Sequence, residues 1–117
     1  MRAGNVFLVL QQGATYRAKP IWLAGNPLTP VDLTGCTARM QLRASFESPS
    51  ALLDIGTTPN ASGSLVLGGV SGEISIHIDS ASIPIGTGVW DLEIYHQNGD
   101  VSRVLEGKWS VSLEVTR

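Results

Sequence analysis

Cysteine, histidine and charge are scarce in this sequence, and each scarcity excludes a class of protein. The 117 residues include one cysteine, Cys36, and two histidines. A single cysteine excludes an internal disulfide, and no second thiol or histidine stands at zinc-site spacing. Only 15% of the residues are charged and the net charge is −2, so nothing favours nucleic acid or an anionic membrane as a partner. We therefore expect no cofactor, no metal, no nucleic-acid partner and no membrane partner.

Long hydrophobic runs are absent as well. The longest apolar run near the start, Val6–Leu10, is far shorter than the roughly 20 residues of a membrane-spanning helix. No small-residue cleavage pattern of a signal peptide follows it. We expect the chain to be made in a cytoplasm, with Cys36 as a buried thiol in a reducing compartment. The length suits one domain covering residues 1–117.

Glycine, proline and alternating apolar residues are what the sequence does have. Thirteen glycines and six prolines indicate many turns and therefore many short strands. Clean period-2 alternation predicts three strands with the following residues facing the core: Ala38, Met40, Leu42, Ile74, Ile76, Ile78, Trp90, Leu92 and Ile94. The predicted fold is all-β: an immunoglobulin-like antiparallel β-sandwich of about seven to nine short strands. "Immunoglobulin-like" describes the architecture only, because the Cys…Trp…Cys spacing of antibody domains is absent.

The stretch Val89–Arg117 predicts a three-stranded antiparallel meander. Asn98-Gly99 predicts a type I′ hairpin turn, and a third alternating run follows Gly107. In that run the residues predicted to face the core are Trp109, Val111, Leu113 and Val115. Elsewhere, Pro20 predicts an edge strand or a bulge, and Asp79–Ile83 predicts one helical turn.

The residues that could carry chemistry favour structural interpretations. Asp91 and Glu93 project from one face of a strand, where they could act as acid and base or bind Ca²⁺. The favoured interpretation is cross-strand pairing with one of three arginines, Arg39, Arg43 or Arg103. His77 and His96 have no partner at ligand spacing and are interpreted as solvated or pairing side chains. No nucleophile–base constellation is present, so we expect a protein that is not an enzyme.

The most suggestive interaction candidate is the run Val6–Leu10, which is apolar at every position. Either it is covered on both sides inside the sandwich, which we favour, or it adds to the sheet edge of a neighbouring molecule. Trp22 and Tyr95 are the two aromatic residues that we expect at a surface. Two such residues are weak evidence for a carbohydrate-binding surface. The predicted partner-interface residues are Val6, Phe7, Leu8, Leu10, Trp22 and Tyr95.

Several motifs together carry a resemblance. The chain reads PVDLTGCTARMQLR at residues 30–43, GEISIHI at 72–78, WDLE at 90–93, LEG at 105–107 and EVTR at 114–117, after Gly13, Thr15 and Arg17. In this combination it resembles a family of small structural proteins encoded among the virion genes of tailed bacteriophages. More loosely, it resembles the N-terminal immunoglobulin-like domain of phage baseplate upper proteins. Cys36 departs from the pattern, because the family has an aromatic residue there.

The resemblance implies a non-enzymatic virion protein, made in the cytoplasm of the bacterial host and located in the particle. A tail or baseplate adaptor that attaches fibres or neighbouring subunits is the expected role. Its partners would be other virion proteins, with a homo-oligomer in the particle. Two alternatives stay open: a head decoration protein, and a carbohydrate-binding module for host attachment.

Overall fold

The computed structural model describes residues 4–79 and 83–113, which form eleven strands and one turn of 3-10 helix at Gly69–Ser71. The strands are β1 Gly4–Asn5, β2 Leu8–Gln11, β3 Thr15–Ala18, β4 Leu23–Ala24, β5 Thr29–Pro30, β6 Thr37–Arg43, β7 Leu53–Gly56, β8 Gly63–Leu67, β9 Ile74–Asp79, β10 Gly86–Tyr95 and β11 Val101–Ser112. The number exceeds the predicted seven to nine because three of them, β1, β4 and β5, are only two residues long.

Two sheets face each other across one core. The larger sheet has six strands in the order β1, β11, β10, β6, β7, with β2 also pairing β11 beside β1. The smaller sheet has the order β3, β9, β8, and β4 and β5 form a separate ribbon. All pairs are antiparallel except those of β1 and β2, which run parallel to β11. Buried residues of both sheets join in one hydrophobic cluster, which confirms the predicted all-β antiparallel sandwich.

The predicted inward faces of three strands are confirmed. All nine residues assigned to the core on β6, β9 and β10 are buried, as are Trp109 and Val111. The prediction for Leu113 is wrong: β11 ends at Ser112, and the Leu113 side chain is exposed. Val115 and residues 80–82 of the predicted helical turn lie outside the described residues. Pro20 follows β3, which pairs only β9 among the described strands and is therefore an edge strand, as predicted.

The predicted meander is in fact one long hairpin. β11 continues through Gly107 as a single strand that pairs with β10 from Tyr95↔Val101 to Gly86↔Val111. Gly107 does not end a strand. An added Cβ there would overlap the Val6 carbonyl oxygen, so the glycine makes room for the N-terminal strand. The one irregularity is a bulge at Val104, which has no partner opposite it between the pairs of Leu105 and Arg103.

The hairpin turn also differs from the predicted type I′. That turn needs positive φ at both central residues, yet among the described residues only glycines have positive φ, and Asn98 does not. The Gly99 amide donates to the His96 carbonyl over 3.0 Å, and Gly99 has φ +95°. A type I turn followed by a positive-φ glycine, the usual three-residue hairpin loop, therefore joins β10 to β11.

Two tryptophans fill the core at the centre of the larger sheet. The Trp109 indole crosses Gly88 and donates from Nε1 to the Arg43 carbonyl over 2.9 Å. The Trp90 indole donates to the Val6 carbonyl over 3.0 Å. Each ring thus buries its apolar surface while its N–H group is paired, which a buried tryptophan requires.

Candidate functional site

The N-terminal strand has one buried and one exposed face, so neither of the two predicted arrangements describes it fully. In the parallel register, Leu8 pairs with Trp109 and Leu10 with Val111, and all four side chains are buried. Phe7 and Val9 point the other way and are 59% and 58% exposed. Leu8 and Leu10 were predicted to contact a partner, but they belong to the core and cannot. Val6 and Phe7 are exposed, and Val9 joins them.

We call residues Gly4–Gln11 the N-terminal edge. The Val6 amide donates to the Glu106 carbonyl over 2.9 Å, and the Val6 carbonyl accepts a hydrogen bond from the Trp90 indole. These two bonds hold the chain in place between β1 and β2. Among the described strands, β1 and β2 pair only with β11, which makes this segment one border of the larger sheet. A border strand presents backbone donors and acceptors along its open side.

An apolar groove of about 500 Å³ lies beside the N-terminal edge, between β11 and the β4–β5 ribbon. Gly4 and Leu105 line one side of it, and Ile21, Leu23 and Leu28 line the other and are exposed. Trp22 was predicted to lie at a surface, but it is buried against the core. Trp22 sits in an irregular stretch between strands, where alternation gives no signal for which way a side chain points.

The outer faces of both sheets are polar. On the larger sheet the outward residues form two groups of ion pairs and hydrogen bonds: one contains Arg39, Gln41, Arg43 and Asp54, and the other contains Asp91, Glu93 and Arg103. On the smaller sheet they are mostly Thr15, Arg17, Ser64, Ser75, His77 and Asp79. The exposed apolar side chains therefore lie mainly on strand borders and loops, and Val66 lies on β8, a border strand of the smaller sheet.

The acidic pair of β10 is held by Arg103, one of the three predicted partners. Arg103 lies 3.4 Å from an Asp91 oxygen and 3.9 Å from oxygens of Glu93 and Glu106. Even so, the pKa of Asp91 is raised, first by partial burial and then by the negative charges of Glu93 and Glu106. One arginine shared by three carboxylates cannot compensate for both effects. The cluster is a cross-strand ion-pair network, as the sequence predicted.

Tyr95 lies in a polar cleft at the opposite border of the larger sheet. We call this the Tyr95 cleft; it is lined by Thr37, Ala38, Arg39, Asp54, Ile55, Gly56, Thr57, Thr58, Asn60 and Tyr95. Its volume is about 710 Å³. The Tyr95 hydroxyl hydrogen-bonds the Glu93 carboxylate over 3.2 Å, and this bond fixes the ring. Partial burial, followed by the Glu93 charge, raises the pKa of Tyr95.

A bidentate ion pair forms one end of the Tyr95 cleft. Arg39 Nε and Nη2 donate to the two Asp54 oxygens over 3.0 and 2.6 Å, and Gln41 donates to Asp54 over 3.1 Å. The hydrogen bonds from Arg39 are the main reason that the pKa of Asp54 is lowered, and the same bonds raise the pKa of Arg39. Sequence reasoning missed this pair, because it depends on the β6–β7 register that sets Gln41 opposite Asp54.

The two histidines lie apart. His96 Nε2 is 2.9 Å from Ser102 Oγ, and Nδ1 is 3.7 Å from Cys36 Sγ. The His96 ring also tilts against Trp22, with centroids 6.1 Å apart. It is thus a pairing side chain, as predicted, while Cys36 is half-buried rather than fully buried. His77 lies on the outer face of the smaller sheet.

Two further features of the described residues bear on metals and membranes. Within residues 4–79 and 83–113, no group of three or more histidine, cysteine or acidic side chains is placed to hold a metal ion. No helix in that part of the chain is long and apolar enough to cross a membrane.

Comparison with known proteins gives likeness of fold only. No family model matches the sequence, and no curated protein matches it. The structure is similar to the titin M3 domain, with a TM-score of 0.49, 11% identity and coverage of 93% of this chain and 92% of that one. It is also similar to a chain of the ZIG-8–RIG-5 IG1–IG1 heterodimer, with a TM-score of 0.49, 9% identity and coverage of 92% and 82%. The fold is an immunoglobulin-like antiparallel β-sandwich.

Proposed function

We propose that this chain is a non-enzymatic structural protein of a tailed-bacteriophage virion, acting as a tail or baseplate adaptor that binds a neighbouring subunit through its N-terminal edge. The observation that carries the proposal is the position of the exposed apolar side chains. Phe7 and Val9 are exposed on the same face of the N-terminal edge, at the border of the larger sheet, whereas the outer face of that sheet carries ion pairs.

A border strand of this kind suits assembly for two physical reasons. Its open side offers main-chain donors and acceptors to a strand of another molecule, and its solvent-facing phenylalanine and valine offer apolar area to bury. Burial of apolar surface contributes about 25 cal/mol per Å². Binding through the charged outer face would require its ion pairs to lose water. The gain in free energy would be small, because exposed salt bridges contribute only about 0–1 kcal/mol each.

The sequence motifs support the same class of protein. The resemblance to virion proteins of tailed phages runs from Gly13 to Arg117, and it implies partners among other virion proteins and a homo-oligomer in the particle.

The test uses two variants with closely matched exposure. Val9→Ser changes a side chain that is 58% exposed on the N-terminal edge, and Val66→Ser changes one that is 60% exposed on β8, a border strand of the smaller sheet. Each is expressed in a host infected by phage lacking the gene, and the copy number in purified particles is measured by quantitative mass spectrometry. We expect the first variant to be lost from particles and the second to be retained.

The position of the chain in the particle completes the test. Electron cryomicroscopy of virions should find a small ring of copies at the tail end. Copies spread over the head lattice would replace the adaptor with a decoration protein. Absence of the wild-type chain from particles would overturn the proposed function. Equal incorporation of the two variants would overturn the assignment of the N-terminal edge as the binding surface.

A further inference from the structure

We propose that the Tyr95 cleft is a binding site for an uncharged saccharide. The cleft lies on the larger sheet at the β7 border, away from the N-terminal edge, and the proposal does not depend on the proposed function. Gly56 of β7 stands opposite Arg39 of β6 and contributes no side chain to this face of the sheet. Ala38 and Gly56 line the floor of the cleft, and an added Cβ at Gly56 would lie 2.9 Å from the Ala38 carbonyl oxygen, so the glycine allows the two strands to approach closely.

One wall of the cleft is the Tyr95 ring. The Tyr95 hydroxyl donates a hydrogen bond to the Glu93 carboxylate over 3.2 Å, which reduces the freedom that the ring loses when a ligand packs on it. Sugars combine an apolar face of C–H groups with a rim of hydroxyls. A fixed aromatic ring beside polar groups is the surface that matches this combination, since aromatic side chains present an apolar body with a polar tip.

The end of the cleft is the half-exposed Arg39–Asp54 pair, which uses only part of its hydrogen-bonding capacity. Two of the five guanidinium N–H groups bond Asp54, and the carboxylate accepts three hydrogen bonds out of about four sites. Arg39 also hydrogen-bonds Tyr95, and the pair still retains guanidinium donors and a nearby carboxylate acceptor. Adjacent sugar hydroxyls, each both donor and acceptor, can use both kinds of group, and the hydroxyls of Thr37 and Thr58 lie on the same lining.

The charge balance selects a neutral ligand. The only formally charged side chains that line the cleft are Arg39 and Asp54, and they neutralise each other at 2.6 Å. A phosphate or sulfate on the free guanidinium N–H groups would be repelled by the Asp54 carboxylate, while a cation on the carboxylate would be repelled by Arg39. A polyhydroxylated neutral molecule meets neither repulsion. The shallow shape admits an internal unit of a chain as readily as a terminal one.

The test is a titration of the ¹⁵N-labelled full chain followed by NMR. The probes are glucose, galactose, rhamnose and N-acetylglucosamine, together with maltohexaose and chitohexaose; glucuronate and inorganic phosphate are the charged comparisons. We expect saturable shifts of the Ala38, Gly56 and Thr57 amides with at least one neutral probe, at millimolar concentration. No saturable shift with any neutral probe, or stronger binding of the charged probes, overturns the proposal.

Three variants locate the site. Tyr95→Ala should weaken binding about tenfold or more, equivalent to about 1.4 kcal/mol. Tyr95→Phe keeps the ring and should stay within about threefold of wild type, equivalent to less than about 0.7 kcal/mol. Phe46→Ala removes an 83% exposed aromatic outside the cleft and should change nothing. Circular dichroism of each variant confirms folding; equal affinity of a folded Tyr95→Ala contradicts the assignment.

Discussion

Gly107 fixes the N-terminal strand to the rest of the sandwich, and its replacement by alanine should loosen that strand selectively. At Gly107, φ is +155°, and an added Cβ would lie 2.9 Å from the Val6 carbonyl carbon and overlap its oxygen. That same oxygen accepts the Trp90 indole N–H over 3.0 Å. The methyl group must therefore push Val6 away and break this hydrogen bond.

The magnitude follows from a comparison with Gly99. Gly99 also has positive φ, at +95°, but an added Cβ there meets nothing within 4 Å. Both alanine variants carry a backbone cost of about 1–3 kcal/mol. Only Gly107→Ala adds overpacking, about 1–3 kcal/mol, and the lost indole hydrogen bond, about 1 kcal/mol. We expect it to be less stable than Gly99→Ala by about 2–4 kcal/mol, a large share of the about 5–15 kcal/mol typical of domains.

Urea unfolding monitored by tryptophan fluorescence measures this difference in the free energy of unfolding. Amide hydrogen exchange then shows where stability is lost: Leu8–Gln11 should exchange much faster in Gly107→Ala, while β6 and β9 should keep most of their protection. Equal stability of the two glycine variants would refute the assigned role of the Val6 contact. A uniform rise in exchange over the whole chain would refute the local character of the effect.

Three further substitutions test other parts of the structure. Trp90→Phe leaves the Val6 carbonyl without its indole donor and should cost about 1–3 kcal/mol in urea unfolding, with faster exchange in β2; exchange that stays at wild-type level would contradict it. Asp54→Asn removes a carboxylate whose pKa is lowered in the folded state, so its contribution is present above the unfolded pKa and is lost as pH falls through the folded one. Because Asp54 and Arg39 are half-exposed, we expect a loss of only about 0.5–1 kcal/mol at pH 7, absent at low pH; a loss independent of pH would contradict it. Asp91→Asn should have the opposite effect. Folding raises the pKa of Asp91, so ionisation of this carboxyl lowers the stability of the folded state as pH rises from the unfolded pKa to the folded one. The variant should therefore be at least as stable as wild type at pH 7, but not at low pH. A variant less stable than wild type only at pH 7 would reverse this assignment.

The sequence correctly predicted which face of a strand is buried, but it predicted the ends of strands poorly, and the difference has a physical reason. Period-2 alternation is set by the backbone of a strand, so the buried sets of β6, β9 and β10 could be predicted without knowing their neighbours. Gly107 was interpreted as a strand end because glycine usually interrupts a strand. Its actual role, making room for Val6, depends on a contact about a hundred residues away in the chain.

The candidate surfaces were less predictable, because they depend on pairing between strands. The N-terminal run contains only apolar residues, so alternation could not separate Leu8 and Leu10 from Phe7 and Val9; parallel pairing with β11 decides it. Tyr95 was predicted at a surface, but its neighbours in the cleft come from β6, from β7 and from the loop after β7. The length of the loop between β6 and β7 does not fix which residues face each other.

The order of strands in the larger sheet separates the two proposed surfaces. The N-terminal edge lies at one border beside β11, and the Tyr95 cleft lies toward the other border, on β6, β7 and the end of β10. A neighbouring subunit that pairs along β2 therefore leaves Gly56 and Tyr95 uncovered. Saccharide affinity should then be the same for the free chain and for the chain in an assembled particle or oligomer. A large loss of affinity on assembly would mean that the partner reaches across the sheet face, contrary to the polar, ion-paired character of that face.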